Sequence, residues 1–254
     1  MASRAEDRRE RAASGPAATG QSRPHGAVRA ALTDYYFNSL RLVPANVVWG
    51  ATVILVVLVA LWWPLGGLLS LPILALPTAG VFAVAARAVR GGAGGGLADS
   101  LFAYRRAPGS TLLLGAAWVA AGLVLATNLV IGLGRGDPFG WGLATLAGWG
   151  LIALWCGSLV AWPLVVDPAR ADRPLGDRLR LAGQLLLVEP RRFATLGLAA
   201  AIIAAVSIVL TAAILTVSVA FIALIACRTV YGVADRLEPD LERDIPSALD
   251  GDRP

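Results

Sequence analysis

Between Phe193 and Val233 the chain runs for 41 residues with a single charged side chain, Arg228. As one helix this run would be about 60 Å long, twice the roughly 30 Å hydrocarbon thickness of a bilayer, so it must fold back on itself. The turn is expected near Thr211, although no Gly or Pro marks it, which divides the run into a fifth and a sixth helix. The rest of the chain has the same character: 57% of its 254 residues are apolar and 15% are charged. Soluble domains carry about 25% charged residues, so a water-soluble fold of this composition would show a large oily surface. The expected fold class is an all-α, polytopic transmembrane helical bundle of six helices, or five if the last run is not divided.

Four earlier spans are expected. The first is Asn46 to Trp63, with Trp49 and the Trp62–Trp63 pair at its two ends, as an interfacial aromatic belt requires. The second, from Leu68 to Arg87, contains Pro72 and Pro77; each lacks a backbone donor, which predicts a kinked or broken helix. The third and fourth are Ser110–Ile131 and Trp141–Val166. Outside the spanning domain, 46–233, three segments are distinguished. Residues 1–26, rich in Ala, Gly, Ser, Pro and Arg, read as a disordered tail. The first long apolar run starts too late for a cleaved signal peptide, so the N-terminus is expected to be kept. Residues 27–45 read as an interfacial amphipathic helix carrying Tyr35, Tyr36 and Phe37, ended by Pro44. Residues 234–254 read as an acidic, solvated tail.

All 22 basic residues are arginine, and 21 of them fall in the two terminal segments and in the connections after the second and fourth spans. The other connections hold only Arg135. This asymmetry predicts both termini in the cytoplasm of a multi-pass inner-membrane protein; five helices would put the C-terminus outside. The pI near 10 does not indicate nucleic acid, because the arginines are dispersed in short connections rather than gathered on a water-facing surface with a recognition motif.

Catalytic and metal chemistry find no apparatus in the sequence. Cys156 and Cys227 lie in apolar runs and read as small core residues, and His25 is a lone histidine without partners at ligand spacing. Gly91–Gly96 lacks the Lys-Ser/Thr ending of a phosphate loop. No cofactor and no enzymatic activity are expected. Among polar residues in the spans, Asn128 needs partners on a neighbouring helix or on a bound solute. Small residues form two packing stripes, Ala212, Thr216, Ala220, Ala223 and Cys227 in the last helix and Gly197, Ala201, Ala204 and Ile208 in the one before. Two connections, Leu97–Arg106 and Pro174–Val188, have helical apolar faces. Their arginines, Arg105, Arg106, Arg178 and Arg180, suit lipid phosphates or a partner protein.

The chain resembles the YesL-like family of bacterial integral membrane proteins. The resemblance is carried by Asn46-Val-Val-Trp49, by Leu71-Pro-Ile-Leu-Ala-Leu-Pro-Thr-Ala-Gly-Val-Phe82, by Leu97–Arg106, by Pro174–Pro190 and by the closing helix pair. Leu76 stands where the family has glycine before its second proline, and the stretch from Asn46 to Leu71 is longer than in the family. The resemblance implies an accessory or scaffold role beside a carbohydrate uptake system, with sugar ABC transporter subunits as partners and Leu101, Phe102, Tyr104, Arg105 and Arg106 as the partner- or lipid-facing segment. Pro72 and Pro77 would shape the helix before it. The alternative is a small-solute carrier whose site lies between the Pro-broken second helix and Asn128.

Overall fold

The structure, a computed structural model, describes residues 24–90, 108–209 and 218–238. Among them all regular structure is helical. Helix α1 spans Pro24–Trp62, α2 Pro64–Ser70 and α3 Ala75–Val89, the last two joined by a 3₁₀ turn, Leu71–Leu74. Helices α4 (Pro108–Arg135) and α5 (Pro138–Val166) form a long hairpin. A second 3₁₀ turn, Pro168–Arg170, leads to α6 (Leu175–Val188), α7 (Pro190–Val209) and α8 (Val219–Leu237). Five helical segments are long and apolar enough to cross a membrane: Ala31–Trp62, Pro64–Val89, Gly109–Arg135, Pro138–Val166 and Pro190–Ser207. Helix α8 is apolar from Val219 to Cys227 but also carries Arg228, Asp235 and Arg236. The expected turn at Thr211 lies outside the described residues.

Three boundaries differ from the sequence reading. Pro44 does not end a helix: α1 continues through it for 39 residues, and no separate helix 27–45 exists. A proline costs the helix one backbone bond, here the one to the Leu40 carbonyl. That loss is outweighed because both sides of the proline are pinned to the same neighbours. Before it, Asp34 pairs with Arg228 and Tyr35 meets Phe221 edge to face; after it, Asn46 Oδ1 accepts the Ala220 N–H at 3.1 Å. Residues 24–26 therefore belong to α1 rather than to a disordered tail, and at the other end α8 runs to Leu237, into the segment read as solvated.

The proline-rich second span is broken as expected, at Leu71–Leu74. Pro72 lies in the 3₁₀ turn, while Pro77 sits in the first turn of α3, where a missing N–H leaves nothing unpaired. Trp49 points inward rather than into an aromatic belt, its Nε1 donating to Thr78 Oγ1 at 3.0 Å.

Helices α3 and α8 form the centre. Every residue from Ala79 to Ala86 is buried, and α8 packs against α1, α3, α5 and α7. Ala220, Ala223 and Cys227 are fully buried, so the described part of the last-helix stripe is a packing face. On α7 the buried stripe is Phe193, Leu196, Ala200 and Ser207, and Ala201 is exposed, so the stripe is rotated by one residue from the expected one. Gly197 joins it by admitting Cys156, while Trp155 Nε1 donates to the Gly197 carbonyl at 3.0 Å. Glycines also set the approach of α4: a Cβ at Gly115 would strike Ala75 and one at Gly132 would strike the Gly140 carbonyl. The outer faces of α1, α4 and α5 expose Leu, Ile, Val and Trp along their length.

Candidate functional site

At the end of the bundle where α3, α5 and α8 terminate, their last residues converge on a buried layer of charge. Asp167 follows α5 in an extended conformation, and Pro168 starts the 3₁₀ turn whose first amide, Ala169 N–H, the Asp167 Oδ1 accepts at 3.1 Å. A carboxylate at a helix C-terminus opposes the helix dipole and needs cations close by. Two are supplied. Arg90, capping α3, donates from Nη2 to Asp167 Oδ2 at 2.8 Å, and Arg170, three residues along, pairs with the same oxygen. Asp235 of α8 takes the other arm of each arginine, from Arg90 Nη1 at 2.6 Å and from Arg170 Nη2 at 3.0 Å. Glu238 completes the layer with Arg170 Nε at 3.1 Å and with Arg173.

Three arginines thus meet three acids, and every carboxylate oxygen in the layer accepts a bond. The Asp167 and Arg170 side chains are fully buried and Arg90 is 6% exposed. Burial opposes the charge on Arg90, but bonding to Asp235 and Asp167 outweighs it and holds the guanidinium above its ordinary range; Arg170 is raised in the same way. The Arg90 guanidinium also lies 4.3 Å from the centre of the Tyr231 ring, and the Tyr231 hydroxyl donates to the Pro163 carbonyl at 2.9 Å. Arg90 Nε is buried without a hydrogen-bond partner among the described residues.

Further pairs surround the layer. Glu189, between α6 and α7, accepts from Arg192 and from Arg236 of α8, each at 3.2 Å. Arg178 donates to the carbonyls of Val165, Ala171 and Arg173 at 2.6–2.9 Å and so caps the end of α5. It is a structural group, not the lipid-facing arginine its position on an amphipathic helix suggested. Arg228 likewise pairs with an acid, Asp34 of α1.

The residues singled out from sequence are distributed elsewhere. Leu101, Phe102, Tyr104, Arg105 and Arg106 lie outside the described residues. Asn128, on α4, is half-buried, and its side chain makes no hydrogen bond among the described residues. The break at Pro72 packs against α4 at Gly115, thirteen residues before Asn128 and about 20 Å from it along the axis. A single small solute does not span that distance, so the structure does not bring Pro72 and Asn128 together. Among the described residues no three His, Cys, Asp or Glu side chains are placed to hold a metal ion.

Sequence reasoning missed the layer because it counted arginines as markers of membrane side and set the acids apart. By sequence, Asp235 and Glu238 fall in the segment that reads as a solvated tail, and Asp167 falls in a connection. The available signal was the spacing Asp167–Arg170, directly at the end of an apolar run. In chemical terms the arrangement is a clamp: it presents no unengaged carboxylate, and it ties α3, α5, α6 and α8 to one another. Comparison with protein-family models, with curated proteins and with solved structures returns no match.

Proposed function

We propose that this chain is a bacterial inner-membrane protein of six crossings with both termini in the cytoplasm, and that it serves as an accessory or scaffold subunit of a carbohydrate uptake assembly of the ABC type. The arginine asymmetry supports the orientation, and it makes α8 a sixth crossing whose charged end joins the ion-paired layer. The observation that carries the scaffold reading is that layer. Breaking one buried pair costs about 3–5 kcal/mol, so the helix ends are held in one arrangement, as a docking platform requires and an alternating-access carrier does not. The carbohydrate link rests on the resemblance of the Leu71–Phe82 block and on nothing else.

The partner-contact segment in this reading is Leu101–Arg106. Affinity purification in mild detergent is expected to recover transporter permease subunits with the wild-type chain, and Tyr104→Ala with Arg105→Ala is expected to reduce that recovery at unchanged thermal stability. Wild-type protein that brings down no transporter subunit contradicts the proposal.

A further inference from the structure

The arginines at the ion-paired end are of two kinds. Arg90, Arg170 and Arg173 bind carboxylates, Arg178 binds backbone carbonyls, and Arg192 and Arg236 share Glu189. Arg180 on α6 and Arg191 at the start of α7 are exposed, and among the described residues their side chains make no hydrogen bond or ion pair. Asp177, one turn before Arg180 and also exposed, stays out of ion-pair reach.

Each of these two arginines shares a helical face with exposed apolar residues. Arg180 is seven residues before Leu187, which is 83% exposed and adjoins exposed Val188. Arg191 is followed at seven, eleven and fifteen residues by Leu198, Ile202 and Val206, all exposed. Those intervals return to one side of an α-helix, so α7 presents an apolar stripe with a guanidinium at its root. A cation at the foot of a lipid-facing stripe stands at the depth of the headgroups. Two such cations, neither paired with an acid among the described residues, complement headgroups that carry a net negative charge.

We propose that the α6–α7 corner is a binding surface for anionic phospholipid headgroups, in which Arg180 and Arg191 each engage a headgroup phosphate and Leu187, Val188 and Leu198 contact the acyl region. The proposal rests on the bilayer reading of the apolar helices and not on any association with a transporter. It also separates Arg178 from its neighbour two residues on: Arg178 holds the fold, and Arg180 holds lipid.

The test is titration of the purified protein in mild detergent with phosphatidylglycerol, with bound lipid read by native mass spectrometry. Phosphatidylcholine and inorganic phosphate run as parallel arms. Wild type is expected to prefer phosphatidylglycerol over phosphatidylcholine. A juxtamembrane basic residue contributes about fivefold, so Arg180→Gln with Arg191→Gln should weaken phosphatidylglycerol about 25-fold and leave phosphatidylcholine unchanged. Arg180→Lys with Arg191→Lys should retain most of the preference. Arg178→Gln should lower thermal stability instead. A double Gln variant that folds and binds phosphatidylglycerol like wild type overturns the proposal, as does a wild type without headgroup preference. Displacement of lipid by inorganic phosphate at equal concentration would reassign the corner to free anions and equally overturn it. The bilayer reading fails by a different result, recovery of the protein in a detergent-free supernatant after ultracentrifugation.

Discussion

Asp167 is the residue on which the ion-paired end depends. One of its oxygens joins Arg90 and Arg170, the other caps the turn after α5, and neither reaches solvent. Asp167→Ala leaves two guanidinium groups sharing Asp235, and removing one member of a buried pair costs about 3–5 kcal/mol. The expected result is a large drop in thermal midpoint in detergent. Replacing Asp167 by Leu together with Arg170 by Met removes one charge of each sign and leaves Arg90–Asp235 and Arg173–Glu238 intact. That pair of changes should recover much of the loss, because an apolar replacement of a buried ion pair is close to neutral. At the opposite end of the hairpin, Asp137 caps α5 by accepting from Gly140, and Arg135 donates to it at 2.8 Å. The Arg135 guanidinium, and then the Gly140 amide, hold this carboxyl below the usual carboxylate range. A lowered folded pKa means that its stabilisation is complete above the unfolded carboxyl value, about pH 4, and is lost as the pH falls through the folded value. Wild type should therefore exceed Asp137→Ala in thermal stability at neutral pH, and the gap should close on acidification.

Among the elements, the ones with strong apolar patterns were legible from sequence. Helices α4 and α5 start within three residues of the expected spans, and the proline pair in the second span produces a break at Leu71–Leu74. These features follow from local chemistry: a run of apolar residues, or a missing N–H. What failed to follow was anything decided by a distant partner. Pro44 has the same local chemistry as Pro72, yet α1 runs through it because Asn46 and Asp34 are both held by α8. Asp235 looks like the start of an acidic tail until Arg90, 145 positions away, is brought beside it. The glycines give a test at this scale. Gly115 faces Ala75 with no room for a methyl group, whereas Gly148 on α5 faces open space. Gly115→Ala should destabilise by about 1–3 kcal/mol through overpacking, and Gly148→Ala should be neutral or stabilise by up to about 1 kcal/mol through helix propensity. Melting curves of the two variants in the same detergent distinguish these signs.

Across the whole molecule, charge and packing divide the labour. The apolar outer faces of α1, α4 and α5 suit lipid; Asp167, Asp235 and Glu238 gather with their arginines at one end, and the Asp137–Arg135 pair lies at the other. The proposed orientation predicts that Gly134→Cys, in an exposed position beside the α4–α5 turn, reacts with a membrane-impermeant maleimide in intact cells. Asp172→Cys, exposed after the second 3₁₀ turn, should react only after the membrane is opened. Both are made in a background with Cys156→Ala and Cys227→Ala, and the reverse pattern would place the ion-paired end outside. The unbroken course of α1 has a consequence of its own. At 39 residues it is a rod of about 58 Å, held by α3 and α8 from Asp34 to Trp49 and packed closely against α2 where Ala60 meets Gly67. A rod nearly twice as long as the hydrocarbon core is thick must tilt steeply or stand clear of one membrane face, so its placement along the bilayer normal, not its length, decides which of its residues meet water.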